Sequence, residues 1–232
     1  MKTKIFCDSA DIKTIKKFDR NSLVDGFTTN RSLMKKSGAK DYKNYSLKLL
    51  SVCKKKPISL EVFANTPSQM LRQANIINSW GRNVYVKIPV VNSRGKFTGK
   101  VIKELSNQGV KLNITAVYTF EQVKKIYKLL NKNTKSIISI FAGRMSDTGK
   151  DPIPVFKSSL NLTKKNKNIM ILWASTREAY NFIQAKKLGS NIITMPPKII
   201  DQIKNFGKSY KSLTINTVKN FLIDSKKSRF KI

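Results

Sequence analysis

Short apolar runs alternate with longer amphipathic stretches eight times along this chain. The runs at 4–7, 24–27, 58–63, 84–88, 111–114, 136–140, 169–172 and 191–194 are strand-length and read as buried strands. The stretches at 11–18, 45–53, 67–79, 99–106, 120–130, 154–162, 177–188 and 197–206 repeat apolar residues at helical spacing. Ser9, Thr66-Pro67 and Thr119 mark helix starts, because a side-chain oxygen or the fixed φ of proline suits a first turn. Gly109 and Gly189 follow helices, where a left-handed residue is expected. Strands that are each followed by a helix pair in parallel through crossovers. Eight such units in roughly 205 residues leave little room for anything but a single-domain α/β chain, a compact (β/α)8 TIM barrel. An open flavodoxin-like sheet needs fewer strands, and a dinucleotide fold wants a glycine fingerprint after its first strand. The barrel is expected over residues 1–208. Residues 209–232 add one amphipathic segment at 214–227 and a basic tail, which either cap the barrel or dock on a neighbouring subunit.

Composition removes several chemistries. The chain has no histidine, so a Ser-His-Asp hydrolase and any histidine metal site are excluded. Acid–base work then falls to carboxylate, lysine, tyrosine or water. Cys7 and Cys53 fit no zinc or redox spacing, and no metal is expected. The N-terminus lacks the apolar core of a signal peptide, and no run approaches the length of a membrane span. A cytoplasmic protein without a membrane partner is the expectation.

Forty-six Lys and Arg against 13 Asp and Glu give a formal charge of +33. Nucleic-acid binding is the natural alternative from another functional class. However, the cations are spread along the whole sequence, and aromatics do not interleave with them as in single-strand binders. The chain is rich in Lys, Asn and Ile and poor in Arg, as a mutational bias would produce. No specific nucleic-acid partner is expected, although weak salt-sensitive binding to polyanions follows from the charge alone.

In a barrel of this kind the chemistry sits at the C-terminal ends of the strands. Those ends read Asp8, Thr28-Thr29-Asn30, Glu61, Lys87, Asn113-Ile114-Thr115, Ser139-Ile140-Phe141 with Gly143-Arg144, Ala174-Ser175-Thr176-Arg177, and Thr194. Every one is polar or charged. Lys87 is the most informative, because it interrupts the otherwise apolar Val84-Tyr85-Val86-Lys87-Ile88-Pro89-Val90. Burial disfavours an ammonium, and a neutral amine is the nucleophile that forms a Schiff base with a ketone. Asp8 and Glu61 suit proton transfer with a hydroxyl and a water, or simply structural hydrogen bonds. Arg144, Ser175 and Arg177 lie near the usual phosphate site of such barrels, where two guanidinium groups and a hydroxyl suit a phosphate monoester. The Gly95–Lys100 stretch has the wrong glycine spacing for a phosphate loop. Trp80 and Trp173 read as core packing.

These segments resemble the transaldolase family, in particular its short bacterial branch close to the fructose-6-phosphate aldolases. Cys7-Asp8-Ser9-Ala10-Asp11 resembles the segment of the family's strand-one aspartate, and Thr28-Thr29-Asn30 its Thr-Thr-Asn motif. Val86-Lys87-Ile88-Pro89 is similar to the Schiff-base lysine segment, and Asn113-Ile114-Thr115 to the Asn-x-Thr of strand five. Ser139-Ile140-Phe141-Ala142-Gly143-Arg144 resembles Ser-Pro-Phe-Val-Gly-Arg, and Ala174-Ser175-Thr176-Arg177 resembles Ala-Ser-Phe-Arg. The resemblance runs from Asp8 to about Phe206. The aldolases carry glutamine on strand three and tyrosine on strand six, whereas Glu61 and Phe141 stand here. Phenylalanine cannot donate the proton that releases a free ketone, so transfer is favoured over aldol cleavage.

The resemblance implies a class I transaldolase with no cofactor beyond a covalent Schiff base on Lys87. It implies Asp8 as the base for the C4 hydroxyl, and Glu61 and Thr115 as holders of a catalytic water. Asn30 and Asn113 would bind hydroxyls of the dihydroxyacetone unit, Thr29, Ser139 and Phe141 would belong to the substrate site, and Arg144, Ser175 and Arg177 would take the phosphate. The implied partners are sugar phosphates and further copies of the chain, in a pentamer or decamer. Two positions depart from the family: Arg31 replaces a usual proline, and Trp173 a usually small residue. Both are candidates for changing which sugar phosphate fits.

Overall fold

The computed structural model describes residues 2–228. Among these, eight parallel strands close into one barrel in sequence order. They are β1 Lys4–Asp8, β2 Gly26–Thr28, β3 Ile58–Glu61, β4 Val84–Pro89, β5 Leu112–Val117, β6 Ser136–Ile140, β7 Ile169–Trp173 and β8 Ile192–Met195. β1 closes the ring on β8 through Lys4 opposite Ile192 to Cys7 opposite Met195. The helices are α1 Ile12–Asp19, α2 Arg31–Lys36, α3 Tyr42–Val52, α4 Pro67–Asn78, α5 Gly99–Asn107, α6 Phe120–Leu129, α7 Ala142–Ser146, α8 Ile153–Thr163, α9 Tyr180–Leu188, α10 Pro197–Gln202 and α11 Tyr210–Ser228. The expected barrel is present, with an additional helix at the C-terminal end.

Local chemistry accounts for the helix boundaries. Thr119 accepts from the Gln122 amide while the Gln122 side chain accepts from the Thr119 amide, a complete capping box on α6. Pro67 opens α4 at a position where its missing N–H costs nothing. Gly189 ends α9 at φ 75°, and Gly109 follows α5 at φ 79°. The expected starts are corrected in three places, one of them α9, which begins at Tyr180 instead of 177. Asp11, rather than Ser9, caps α1 by accepting from Thr14; Ser9 accepts from the Asp11 amide instead. Asp41 accepts from Asn44, so α3 begins at Tyr42, before the expected residue 45. α2 and α7, six and five residues long, were not foreseen.

The barrel interior is packed by Phe6, Tyr85, Ile137, Leu172, Ala174 and Ile192. Gly26 makes room for the Phe6 ring, since a Cβ there would lie 2.6 Å from ring carbons. Outside the strands, Phe156 of α8 packs on Trp173 of β7 with ring centroids 4.6 Å apart. Such a pair contributes about 0.5–1.5 kcal/mol beyond its buried area.

The chain divides into two compact units, Met1–Ile200 and Asp201–Ile232. The first holds the barrel. The second contains a 3-10 turn at Ile203–Asn205 and α11. Along α11, Leu213, Ile215, Val218, Phe221 and Leu222 are exposed. The expected basic tail lies partly outside the described residues. No helix among the described residues is long and apolar enough to cross a membrane.

Candidate active site

The C-terminal strand ends surround a cavity of about 120 Å³. Asp8 of β1, Thr28 of β2, Lys87 of β4, Asn113 and Thr115 of β5, and Ser139 of β6 line it. Asn30, Phe141, Arg144, Leu172, Ala174, Ser175 and Thr194 complete the wall. Parallel strands of a closed barrel bring these residues together although they span most of the sequence.

Lys87 projects inward with its side chain 12% exposed. Its Nζ donates to the Thr29 carbonyl at 3.1 Å and stands 3.6 Å from Glu61 Oε2. Glu61 is on β3, directly opposite Lys87 in the register of β3 and β4. Its other oxygen accepts from Arg31 Nε at 3.1 Å, so the carboxylate is held between two cations. Arg31 also lies over the Phe63 ring at 5.5 Å, and Tyr42 donates to the Glu61 carbonyl at 2.8 Å. The unusual residue at position 31 therefore acts on Glu61.

Asp8 lines the same cavity from β1. Thr28 Oγ1 donates to Asp8 Oδ1 at 2.7 Å and lies 2.6 Å from Thr194 Oγ1. A hydroxyl has one proton to give, so with Thr28 donating to Asp8 the Thr194 hydroxyl donates to Thr28. Burial pushes the Asp8 carboxyl above its ordinary range, while the Thr28 hydrogen bond and the charge of Lys87 pull the other way. An acid poised in this manner can accept a proton and later return it.

A second polar chain crosses the barrel. Ser139 Oγ donates to Asn113 Oδ1 at 2.7 Å, and Asn113 Nδ2 donates to Ser59 Oγ at 3.0 Å. These bonds fix the amide orientation of Asn113 beside Lys87, its register partner. Thr115 Oγ1 is buried without a hydrogen-bond partner among the described residues. An unsatisfied hydroxyl in a polar cavity is a seat for water or a substrate oxygen. β5 is irregular here: Ala116 has φ 60°, and the register with β6 shifts between Ile114 and Val117.

Near the mouth, Arg144 lies over the Phe141 ring at 5.2 Å and forms no salt bridge among the described residues. Ser175 adopts φ 66°, and its carbonyl sits so close to Gly143 that a Cβ there would lie 1.6 Å away. Glycine alone fits this contact, which holds the start of α7 against the end of β7.

The structure does not bring every expected residue to the cavity. Thr29 is buried with its hydroxyl on the Ser59 carbonyl, so it supports the wall from behind. Glu61 reaches the site through Lys87 and does not line the cavity. Arg177 is outside the lining, and its guanidinium is held by Asp147 through Nε and Nη2. Trp173 also departs from the sequence expectation about sugar fit. It faces Phe156 outside the barrel, while its neighbours Leu172 and Ala174 line the cavity. Thr28 and Thr194 reach the site as partners of Asp8, roles that the sequence did not distinguish.

The relative named "Probable transaldolase" from Herpetosiphon aurantiacus is 31% identical over 223 residues, covering 95% of this chain and 94% of its own. Its namesake from Nitrosopumilus maritimus is 32% identical over 228 residues, covering 97% and 95%. Inosine 5′-monophosphate dehydrogenase from Legionella pneumophila shares the barrel alone, with a TM-score of 0.57 at 12% identity, covering 84% of this chain and 58% of its own. The profile of the Transaldolase/Fructose-6-phosphate aldolase family matches residues 5–232. A lysine and an aspartate facing one small cavity at the strand ends, with the family match running almost end to end, place this chain in the transaldolase/fructose-6-phosphate aldolase family.

Proposed function

We propose that this enzyme is a class I transaldolase that moves a dihydroxyacetone unit between sugar phosphates through a Schiff base on Lys87. The observation that carries the reading is the inward Lys87 amine in a cavity shared with Asp8. The Lys87 amine attacks the C2 carbonyl of fructose 6-phosphate, and loss of water leaves a protonated imine. Asp8 takes the proton of the C4 hydroxyl, the C3–C4 bond breaks, and the iminium receives the electron pair. Erythrose 4-phosphate is the accepting aldehyde after glyceraldehyde 3-phosphate leaves, and sedoheptulose 7-phosphate is the product. A water on the Thr115 hydroxyl serves imine formation and hydrolysis, with Glu61 acting on it through Lys87. Asn30 and Asn113 bind the hydroxyls of the transferred unit, and Arg144 and Ser175 take the phosphate. No cofactor enters this scheme.

Borohydride reduction in the presence of fructose 6-phosphate, followed by peptide mapping, tests the reading. A three-carbon adduct on Lys87 is expected. An adduct on another lysine, or none while transfer proceeds, would overturn it. A second reading is an aldolase that releases free dihydroxyacetone. The hydroxyl-free Phe141 ring in the cavity wall argues for transfer, and dihydroxyacetone released without an acceptor would favour the aldolase.

We also propose that the chain forms a homo-oligomer, a pentamer or decamer. The exposed apolar side chains of α11, including Phe221 at 66%, support association with a second copy. Light scattering at physiological salt should give a mass of five or ten subunits, and Phe221→Glu with Val218→Glu should lower it. A monomer for the unaltered chain would refute assembly.

A further inference from the structure

At the opposite end of the barrel, the N-terminal ends of the strands enclose a basin of about 640 Å³, larger than the cavity around Lys87. Lys4 opens β1, Lys54 and Lys55 precede β3, Arg82 precedes β4, and Lys111, Lys135 and Lys167 precede β5, β6 and β7. Lys and Arg are 46 of the chain's 232 residues but seven of the twelve that line this basin. No carboxylate is among the twelve. The high charge of the chain is thus not spread evenly: six of the eight strands deliver a cation to one concave surface.

The loops that carry these cations are braced from within. Asn83 Nδ2 donates to the Cys53 and Lys56 carbonyls at 2.7 and 2.9 Å, fixing the turn that bears Lys54 and Lys55. Asn168 Nδ2 donates to the Lys132 carbonyl at 2.9 Å, and Asn166 Nδ2 to the same oxygen at 3.1 Å, tying β7 to the loop before Lys135. Lys111 bonds the Arg82 carbonyl and lies 6.0 Å from the Tyr85 ring centroid. Burial, and then the neighbouring charge of Lys135, push the Lys111 ammonium below its ordinary range. Like charges fixed around one concavity repel one another, and a multivalent anion relieves that repulsion.

We propose that this basin is a second binding site, taking a compact oligophosphate, a small molecule that carries several phosphate groups in a row. A single phosphate would satisfy only a few of the seven cations. A nucleic-acid backbone needs a groove or open face to run along, whereas these seven cations line a single concave basin. The ligand chemistry is the phosphate chain itself, whether inorganic or carried by a nucleotide. This site stands apart from the Lys87 cavity and is independent of the reaction proposed there.

Calorimetric titration of the full chain with inorganic triphosphate, at about 150 mM salt where exposed charges are largely screened, tests the inference. Saturable binding at one site per chain is expected. Lys55→Gln, Lys111→Gln and Lys135→Gln combined should weaken it about tenfold or more. Lys103→Gln, Lys125→Gln and Lys157→Gln, exposed positions on α5, α6 and α8, remove the same charge elsewhere and should change it less than about twofold. Both triple variants should keep the transfer activity of the parent, which shows that each is folded. A nucleoside triphosphate binding as tightly as inorganic triphosphate would assign recognition to the phosphates alone, and tighter binding would add a contact to the base. Equal losses in the two variants, or no saturable binding, would overturn the site. A single-stranded oligonucleotide that binds more tightly than triphosphate and displaces it would overturn it in favour of nucleic acid.

Discussion

Lys87→Met is expected to lower transfer activity on the order of 10⁴-fold or more, because among the described residues no other amine lines the cavity to form the imine. The substitution is mild for the fold. Methionine matches the length of the lysine chain, and the side chain it replaces is only 12% exposed. Glu61 loses one of its two cations but keeps Arg31 at 3.1 Å, so no unpaired carboxylate remains. Stability should therefore change by no more than about 1 kcal/mol, a shift measurable by urea unfolding. Donor binding should persist, because the Ser139–Asn113–Ser59 chain and Arg144 are untouched. Lys87→Arg provides the decisive contrast. It restores a charge beside Glu61, yet a guanidinium stays protonated and does not form the imine. Both variants should be inactive and yield no borohydride adduct. Activity recovered by arginine would show that Lys87 contributes charge and not a covalent bond.

Lys87 was legible in the sequence because a lone cation in an apolar strand has few places to go. The strand ends were legible for a related reason, since polarity recurred at each change from short to long hydrophobic period. What the sequence concealed has physical causes. β7 is apolar on both faces, so alternation alone does not say whether Trp173 or its neighbours point inward. Pairing settles it: Leu172 and Ala174 face the cavity and Trp173 the helix layer. Arg177 read as a phosphate ligand because its partner Asp147 lies 30 residues away and meets it only in the folded barrel. α2 and α7 are too short for a helical period to appear. The basin around Lys111 is the extreme case. Its cations are scattered from Lys4 to Lys167, each unremarked beside many others, and only barrel closure gathers them.

Asp8→Asn should separate imine formation from carbon–carbon cleavage. Asparagine keeps an oxygen to accept from Thr28, now at 2.7 Å from Asp8 Oδ1, but it cannot take the C4 proton. Loss of a general base costs about 10²–10⁴-fold in rate. Lys87 remains, so the imine with fructose 6-phosphate still forms, and borohydride should trap the whole six-carbon ketose instead of a three-carbon fragment. Equal amounts of the three-carbon adduct in variant and parent would remove Asp8 from the cleavage step. The same substitution has a predictable sign for stability. Burial raises the folded pKa of Asp8 above the unfolded value near 3.8, so folding favours the protonated acid. Its favourable contribution is present below that unfolded value and is lost as pH rises through the folded pKa. At neutral pH the buried carboxylate is a cost, and removing its charge should raise the melting temperature by a few degrees as transfer disappears. For the parent enzyme, the ionised base is needed for cleavage, so the acidic limb of kcat should lie above 3.8. The unfavourable burial of Asp8 and its capacity to exchange a proton with the substrate have one origin, desolvation at the strand ends that the Thr28 hydrogen bond only partly offsets.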